Sequence, residues 1–205
     1  MKTELQQKIF DKYPAIFGDR TKSMQETCMC WGLEVGDGWF DLIDALCASL
    51  SSTYSTTISL SPEETELYGE RYGTWNRESG KHEGPDVAHS YMEVSPPAVV
   101  ADQVKEKFGT LRFYYHLIFD PKLLELAERN VQAQQTIDRY VAYFDGIIHH
   151  AETYSARTCE VTGKPGELGS CGGWVSVRCP EQAALENRNW KSYRQMEASK
   201  CEHAG

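Results

Sequence analysis

Residues 99–117 read VVADQVKEKFGTLRFYYHL, a pattern typical of β-structure. Two runs rich in β-branched and aromatic residues flank Phe108-Gly109, a pair that suits a tight hairpin turn. Apolar side chains take alternate positions in the second run, as in a strand with one buried face: Leu111, Phe113, Tyr115 and Leu117. We therefore expect a β-hairpin with one apolar and one polar face.

Helical periodicity flanks this hairpin on both sides. Apolar residues recur at helical spacing within residues 5–17 and 39–50, and Asp37 is placed to act as the N-cap of the second helix. Asp120-Pro121 joins an N-cap to a proline at the first helical position, so a long helical region begins there. Arg129-Asn130 is the expected bend, which would divide this region into two helices.

The segments outside these helices and the hairpin are predicted from their composition. Residues 53–60 suit a strand, whereas residues 61–97 mix charges with glycine and proline and suggest a polar insertion or a flap over a site. Residues 158–180 resemble a zinc ribbon, and residues 181–205 form a charged tail. We predict one α+β domain over residues 1–180: a small antiparallel β-sheet packed by long helices, with a zinc-ribbon-like C-terminal module.

Composition narrows the classes of protein to which the chain could belong. The 205 residues carry a net charge of -9, which disfavours general nucleic-acid binding because phosphates require clustered cations. The sequence has no apolar run long enough for a membrane span and no signal-peptide pattern. We therefore expect a cytoplasmic protein whose seven cysteines are reduced.

The cysteines of the C-terminal module, residues 158–180, are candidate ligands for a metal ion. Cys159 and Cys179 stand where the two knuckles of a zinc ribbon would begin, but their expected partner positions hold Thr162 and Gln182. The other ligand candidates are Cys171 and the tail residues Cys201, Glu202 and His203. Two interpretations stay open: a zinc site built from Cys159, Cys171 and Cys179, or a metal-free ribbon held by the packing of Trp174.

The polar face of the hairpin is the second candidate site. Lys105, Lys107 and Arg112 place cations beside Tyr114, a combination that suits a phosphate next to a stacked ring. Alternating charge is also the ordinary pattern of a solvated strand. His116 on the same face could act as a general base, although no partner for it is evident in the sequence.

The third candidate binding site is the turn Gly36-Asp37-Gly38-Trp39. A helix N-terminus flanked by glycines can bind an anion, although Asp37 would repel it, and Trp39 could be a stacking lid or a core residue. The sequence has no nucleophile elbow, P-loop, dinucleotide-binding fingerprint or zinc-protease motif, so we expect a binding protein rather than an enzyme.

Three motifs together resemble a family of small proteins of tailed bacteriophages and prophages. These are residues 36–39, residues 105–114 and the cysteine ribbon of residues 159–179. The resemblance covers about residues 8–60 and 98–180. Members of that family usually have paired cysteines in both knuckles, and this chain departs from the pattern at Thr162 and Gln182.

By analogy with other small accessory proteins of phages, this resemblance leads us to expect a protein that acts against bacterial defence in the host cytoplasm. We expect it to sequester a small nucleotide or ADP-ribose-like signal without cleaving it, as a homo-oligomer. The expected ligand-binding residues are Trp39, Lys105, Lys107, Arg112, Tyr114, Arg157 and Trp174. The alternatives are an acidic inhibitor that binds a host defence protein, and a nucleotide-cleaving enzyme that depends on His116, Glu106 or Glu160.

Overall fold

A computed structural model describes residues 1–185 and 189–196 and confirms a mixed α+β architecture with several small sheets. The chain divides into two compact units. The first contains residues 1–52 and 98–117 together with the described part of 143–205. The second contains residues 53–97 and 118–142. In the described residues no helix is long and apolar enough to cross a membrane.

The helices follow the apolar periodicity of the sequence. They are α1 (Thr3–Lys12), α2 (Phe40–Ser51), α3 (Pro62–Tyr68), α4 (Pro121–Ala127), α5 (Val131–Ser155) and α6 (Pro180–Leu185). The predicted start of α4 is confirmed, because the Asp120 side chain accepts a hydrogen bond from the Lys122 backbone at 2.8 Å. The predicted bend is also confirmed, because Asn130 separates α4 from α5 and its side-chain oxygen accepts the Gln132 N–H at 2.9 Å.

The start of α2 differs from the prediction. A 3-10 turn at Asp37–Trp39 precedes this helix, and the Asp37 side chain does not cap it. The Asp37 carboxylate instead accepts the Lys2 backbone N–H at 2.7 Å and pairs with the Lys2 ammonium at 3.3 Å. The predicted N-cap role of Asp37 is therefore wrong, since a contact distant in sequence takes up its side chain.

The strands form separate small sheets. They are β1 (Leu33–Glu34), β2 (Thr56–Ser59), β3 (Arg71–Asn76), β4 (Lys81–Ala88), β5 (Tyr91–Val94), β6 (Ala98–Lys107), β7 (Thr110–Ile118), β8 (Glu167–Cys171), β9 (Trp174–Arg178) and β10 (Lys191–Ser192). In the first unit the sheet orders are β1-β6-β7 and β10-β8-β9. The pairing of β1 with β6 is parallel, so the sheet containing the predicted hairpin is mixed rather than antiparallel.

The β6–β7 hairpin confirms the prediction from residues 99–117. Its turn residues Phe108 and Gly109 have φ values of 54° and 76°, as a two-residue turn of this kind requires. The outer edge of β7 is covered by α5. The Leu111 N–H donates to the Ser155 hydroxyl at 2.8 Å, and the Phe113 N–H donates to the Glu152 carboxylate at 2.9 Å. These bonds satisfy backbone donors that an edge strand would otherwise expose.

The second unit contains the region predicted as a polar insertion. Residues 61–97 include α3, the β3–β4 hairpin and β5, which pairs antiparallel with β2. The apolar core of this unit consists of Ile58, Leu60, Met92, Val94, Leu123, Leu126 and Ala133. The predicted strand at residues 53–60 is confirmed as β2, and its apolar side chains join the core of this unit.

Candidate functional site

The Gly36–Trp39 turn binds directly to the first knuckle of the C-terminal module. The Gly38 N–H donates to the Glu160 carbonyl at 2.8 Å, and the Gly36 N–H donates to the Glu160 side chain at 2.8 Å. The Trp39 indole N–H donates to the Thr158 carbonyl, also at 2.8 Å. We call residues 36–39 and 158–163 the turn–knuckle contact. Two motifs that are far apart in the sequence are thus one structural feature.

Trp39 is a core residue within this contact. Its side chain is 0% exposed, so neither ring face is available to a ligand. The indole N–H is already bonded to a backbone carbonyl, as a buried tryptophan requires. We therefore correct the prediction that Trp39 binds a ligand, because burial leaves it only a structural role.

The cysteines of the two knuckles are buried and lie next to Thr162. Cys159 and Cys179 are both buried, and the Thr162 hydroxyl lies 3.5 Å from the Cys179 sulfur. Burial raises the pKa of Cys159, but hydrogen bonds from the Thr162 hydroxyl and from the backbone N–H groups of Cys179, Thr162 and Val161 outweigh it and lower the pKa overall. These hydrogen bonds therefore stabilise the Cys159 thiolate relative to that of an ordinary cysteine.

The structure does not show a zinc ribbon. Among the described side chains, no group of three or more histidine, cysteine, aspartate or glutamate residues is placed to hold a metal ion. Cys171 belongs to β8 and is half-buried, and it does not complete a site with Cys159 and Cys179. The other candidates, Cys201, Glu202 and His203, lie outside the described residues.

One substitution should convert the knuckle into a metal site. Sulfurs on a tetrahedral zinc ion lie about 3.8 Å apart, given Zn–S bonds of about 2.3 Å. The Thr162 oxygen is already 3.5 Å from the Cys179 sulfur, and the Glu181 carboxylate is 3.9 Å from it. We expect Thr162→Cys to bind one zinc ion per chain and to raise the melting temperature when zinc is added. Thr162→Ser is the matched control, and equal zinc content in both variants would contradict the expectation.

A groove in the first unit has the form of a ligand site. It has a volume of about 590 Å³ and runs between α2 and the C-terminal half of α5, beside the knuckle. Its apolar floor contains Leu42, Ala45, Leu46, Ile147 and Ala151. Its polar rim contains Asp41, Ser49, His150, Tyr154 and Arg157. We call it the α2–α5 groove; an apolar cavity of this size with a few polar groups is typical of small-molecule sites.

Arg157 is the predicted ligand-binding residue that the structure places in this groove. It is exposed and follows the last turn of α5. Arg112, by contrast, is held by its own strand: its guanidinium donates to the Thr110 hydroxyl and to the Leu111 carbonyl, each at 2.7 Å. It also lies 4.0 Å from the Glu152 carboxylate. Arg112 therefore contributes mainly to the docking of β7 on α5.

The other predicted residues are distributed over the surface. The Lys105 ammonium lies 5.4 Å from the centre of the Tyr114 ring, whereas Lys107 lies 5.5 Å from the ring of Phe108. Trp174 is 73% exposed and neighbours Val175, which lies close to Gly109. Because successive strand residues point to opposite faces, Trp174 points away from that turn. Lys105 and Tyr114 are therefore neighbours on the surface, whereas Trp174 is not part of the same group.

The remaining rim residues of the groove were not predicted. His150 and Tyr154 are one turn apart on α5, and their rings are stacked at 6.4 Å. Helical spacing links them to Ile147 and Ala151, a pattern that indicates a buried helix face rather than a groove. Asp41 and Ser49 come from α2, so only the packing of two helices reveals the set.

His116 has a partner that the sequence did not indicate. Its Nδ1 atom lies 2.8 Å from the Asp102 carboxylate, and both side chains are about half exposed. Asp102 is on β6 and His116 is on β7, so the hairpin brings them together. The pair lies on the same hairpin as Lys105 and Tyr114.

Comparisons with protein-family models, with curated protein sequences and with solved structures find no match for this chain.

Proposed function

We propose that the chain is a phage accessory protein that binds a small nucleotide-type immune signal in the α2–α5 groove and holds it intact. The observation that carries this proposal is the groove itself: an apolar floor with a cation, a carboxylate and two aromatic rings on its rim. The phage context rests on the motifs of residues 36–39, 105–114 and 159–179. A sequestering protein needs a site large enough for its ligand, and the volume of this groove is in the usual range of small-molecule sites.

The base of a nucleotide would bind at the aromatic side of the groove. His150 and Tyr154 offer parallel rings on one face of α5, and Tyr154 is 55% exposed. Stacking of a base on an aromatic side chain contributes about 1–3 kcal/mol and tolerates any base. Leu46 and Ala151, both buried in the floor, would contact the edge of the base.

The polar parts of the ligand would bind along the rim of the groove. Arg157 can form a bidentate, charge-assisted pair with a phosphate. Asp41 can accept hydrogen bonds from ribose hydroxyls, and Ser49 adds a hydroxyl on the same helix. The rim therefore has a complementary group for each part of a nucleotide, which is why we prefer this ligand class to a purely apolar one.

Titration calorimetry with ADP-ribose as the probe tests this assignment. We expect Arg157→Ala to weaken binding by about 10- to 100-fold, since a hydrogen bond to a charged group is worth about 1.5–3 kcal/mol. Arg77→Ala is the matched control, because Arg77 is an exposed arginine of the second unit and does not line the groove. The ligand recovered after the titration should be uncleaved.

Two results would count against the proposal. Equal affinities of the wild type and Arg157→Ala for ADP-ribose would mean that the ligand does not bind in the α2–α5 groove. Cleaved ADP-ribose in the recovered fraction would favour the alternative of a nucleotide-cleaving enzyme.

A further inference from the structure

A second cavity lies at the open end of the β8–β9 hairpin, where β8 begins and β9 ends. Its volume is about 520 Å³, and Pro165, Pro180 and Ala183 form its apolar wall. We call it the β8–β9 cavity. Of its described lining residues, Pro165 alone also lines the α2–α5 groove. The polar groups of this cavity are therefore different from those of the proposed nucleotide site.

Three side chains share the face of the hairpin that borders this cavity. Glu167 and Arg178 are direct partners in the register of β8 and β9, so their side chains are neighbours on one face. Gly169 is two residues further along β8 and faces the same side. A Cβ atom at Gly169 would lie 2.5 Å from Cζ2 of Trp190, so the indole ring takes the place of a side chain there. Trp190 therefore lies on the face of Glu167 and Arg178, and all three line the β8–β9 cavity.

The indole N–H of Trp190 is the feature of this cavity that indicates a ligand. The side chain is only 9% exposed, and its Nε1 atom is buried. Within the described part of the chain, no atom accepts a hydrogen bond from this N–H. An indole nitrogen can only donate, and a buried donor without an acceptor is costly. Because Trp190 lines the cavity, an occupant that carries an acceptor would satisfy this donor.

The charges of the lining residues define the chemistry of this occupant. The Arg178 guanidinium and the Trp190 N–H are donors that suit a carboxylate. The Glu167 carboxylate would repel a simple anion, whereas it would attract an ammonium group. Directly opposite side chains of an antiparallel pair lie about 5 Å apart at Cβ. The ligand must therefore carry a negative and a positive group close together.

We propose that the β8–β9 cavity binds a free α-amino acid. The carboxylate of the ligand pairs with Arg178 and accepts the Trp190 N–H, and its ammonium group pairs with Glu167. Its side chain packs against Pro165 and Pro180 of the apolar wall. A simple anion would face Glu167, and a simple cation would leave the indole N–H without an acceptor. An α-amino acid satisfies both requirements, because its two charged groups are bonded to the same carbon.

Two-dimensional NMR of the indole N–H groups tests the proposal on the ¹⁵N-labelled full chain. The chain has five tryptophans, and the signal that is missing from Trp190→Phe belongs to Trp190. The probe is a mixture of the proteinogenic amino acids at millimolar concentration and neutral pH. We expect the proton signal of Trp190 to move downfield, as that of an N–H does when it gains an acceptor, while the other indole signals stay in place. An unmoved Trp190 signal would overturn the proposal.

Variants of the charged pair give the second readout, in titrations of the same signal with the amino acid that moves it. Arg178→Gln and Glu167→Gln should each weaken binding by about 10-fold or more, since each removes a charge-assisted hydrogen bond. Arg77→Gln and Glu78→Gln are the matched controls, because both residues are exposed in the second unit and do not line the cavity. Glu167 is exposed, so its variant should fold as the wild type does. Wild-type affinity in either cavity variant, or an equal response to amino-acid amides that lack the carboxylate, would also overturn the proposal.

Discussion

Trp39→Ala should lower the free energy of unfolding by about 4 kcal/mol, because truncation of a fully buried tryptophan leaves a large cavity. Trp39 is 0% exposed and links the Gly36–Trp39 turn to the knuckle through its bond to Thr158. Urea denaturation followed by circular dichroism measures the change. A protein of this size with typical stability would lose a large fraction of it.

Trp39→Phe separates the two contributions of this side chain. Phenylalanine keeps much of the apolar contact but removes the indole N–H, which leaves the Thr158 carbonyl without that donor. We expect a loss of about 1–3 kcal/mol for this variant. A loss below 1 kcal/mol for Trp39→Ala would mean that the turn–knuckle contact does not stabilise the fold, and our assignment of Trp39 to the core would fail.

Gly38→Ala should destabilise the protein by about 3 kcal/mol, although it adds only one methyl group. A Cβ atom at position 38 would lie 2.4 Å from the Cys159 carbonyl oxygen, 2.4 Å from the Gly163 nitrogen and 2.6 Å from the Thr162 nitrogen. All three are backbone atoms, so no side chain can rotate away to make room. The turn must separate from the knuckle, and the hydrogen bond from Gly38 to Glu160 is lost with it.

Gly146→Ala is the matched control for this substitution. Gly146 is an exposed position inside α5, and beyond the adjoining turns of its own helix a Cβ there meets no atom within 4 Å. Alanine favours a helix over glycine by about 1 kcal/mol, so this variant should be more stable than wild type. The same chemical change is thus expected to act in opposite directions at two positions. If Gly38→Ala were neutral, the close approach of turn and knuckle would be wrong.

Local sequence signals predicted the elements that depend on neighbouring residues. The hairpin at Phe108-Gly109, the start of α4 at Asp120 and the bend at Asn130 each depend on residues a few positions apart, and all three are confirmed. The predicted capping role of Asp37 is wrong because a residue distant in sequence determines where its side chain bonds. Its side chain bonds to Lys2, a contact that local spacing does not encode.

The candidate site could not be predicted in the same way. The α2–α5 groove forms where two helices that are distant in sequence pack together, and its rim residues have ordinary helical spacing. Trp39 and Arg112 have residue types that suit a ligand, but the structure uses them in packing and in strand docking. Arg157 was predicted as one of several cations suited to a phosphate, and it lines the groove.

The measurement that tests the central claim most directly is the release of a bound ligand from the protein. The wild type and Arg157→Ala are incubated with lysate from cells that run a nucleotide-signalling defence system, washed, denatured by heat and analysed by mass spectrometry. We predict an intact nucleotide-type molecule from the wild type and little or none from Arg157→Ala. An empty released fraction with the lysate nucleotides unchanged, or equal amounts of ligand from both proteins, would contradict nucleotide sequestration in the α2–α5 groove.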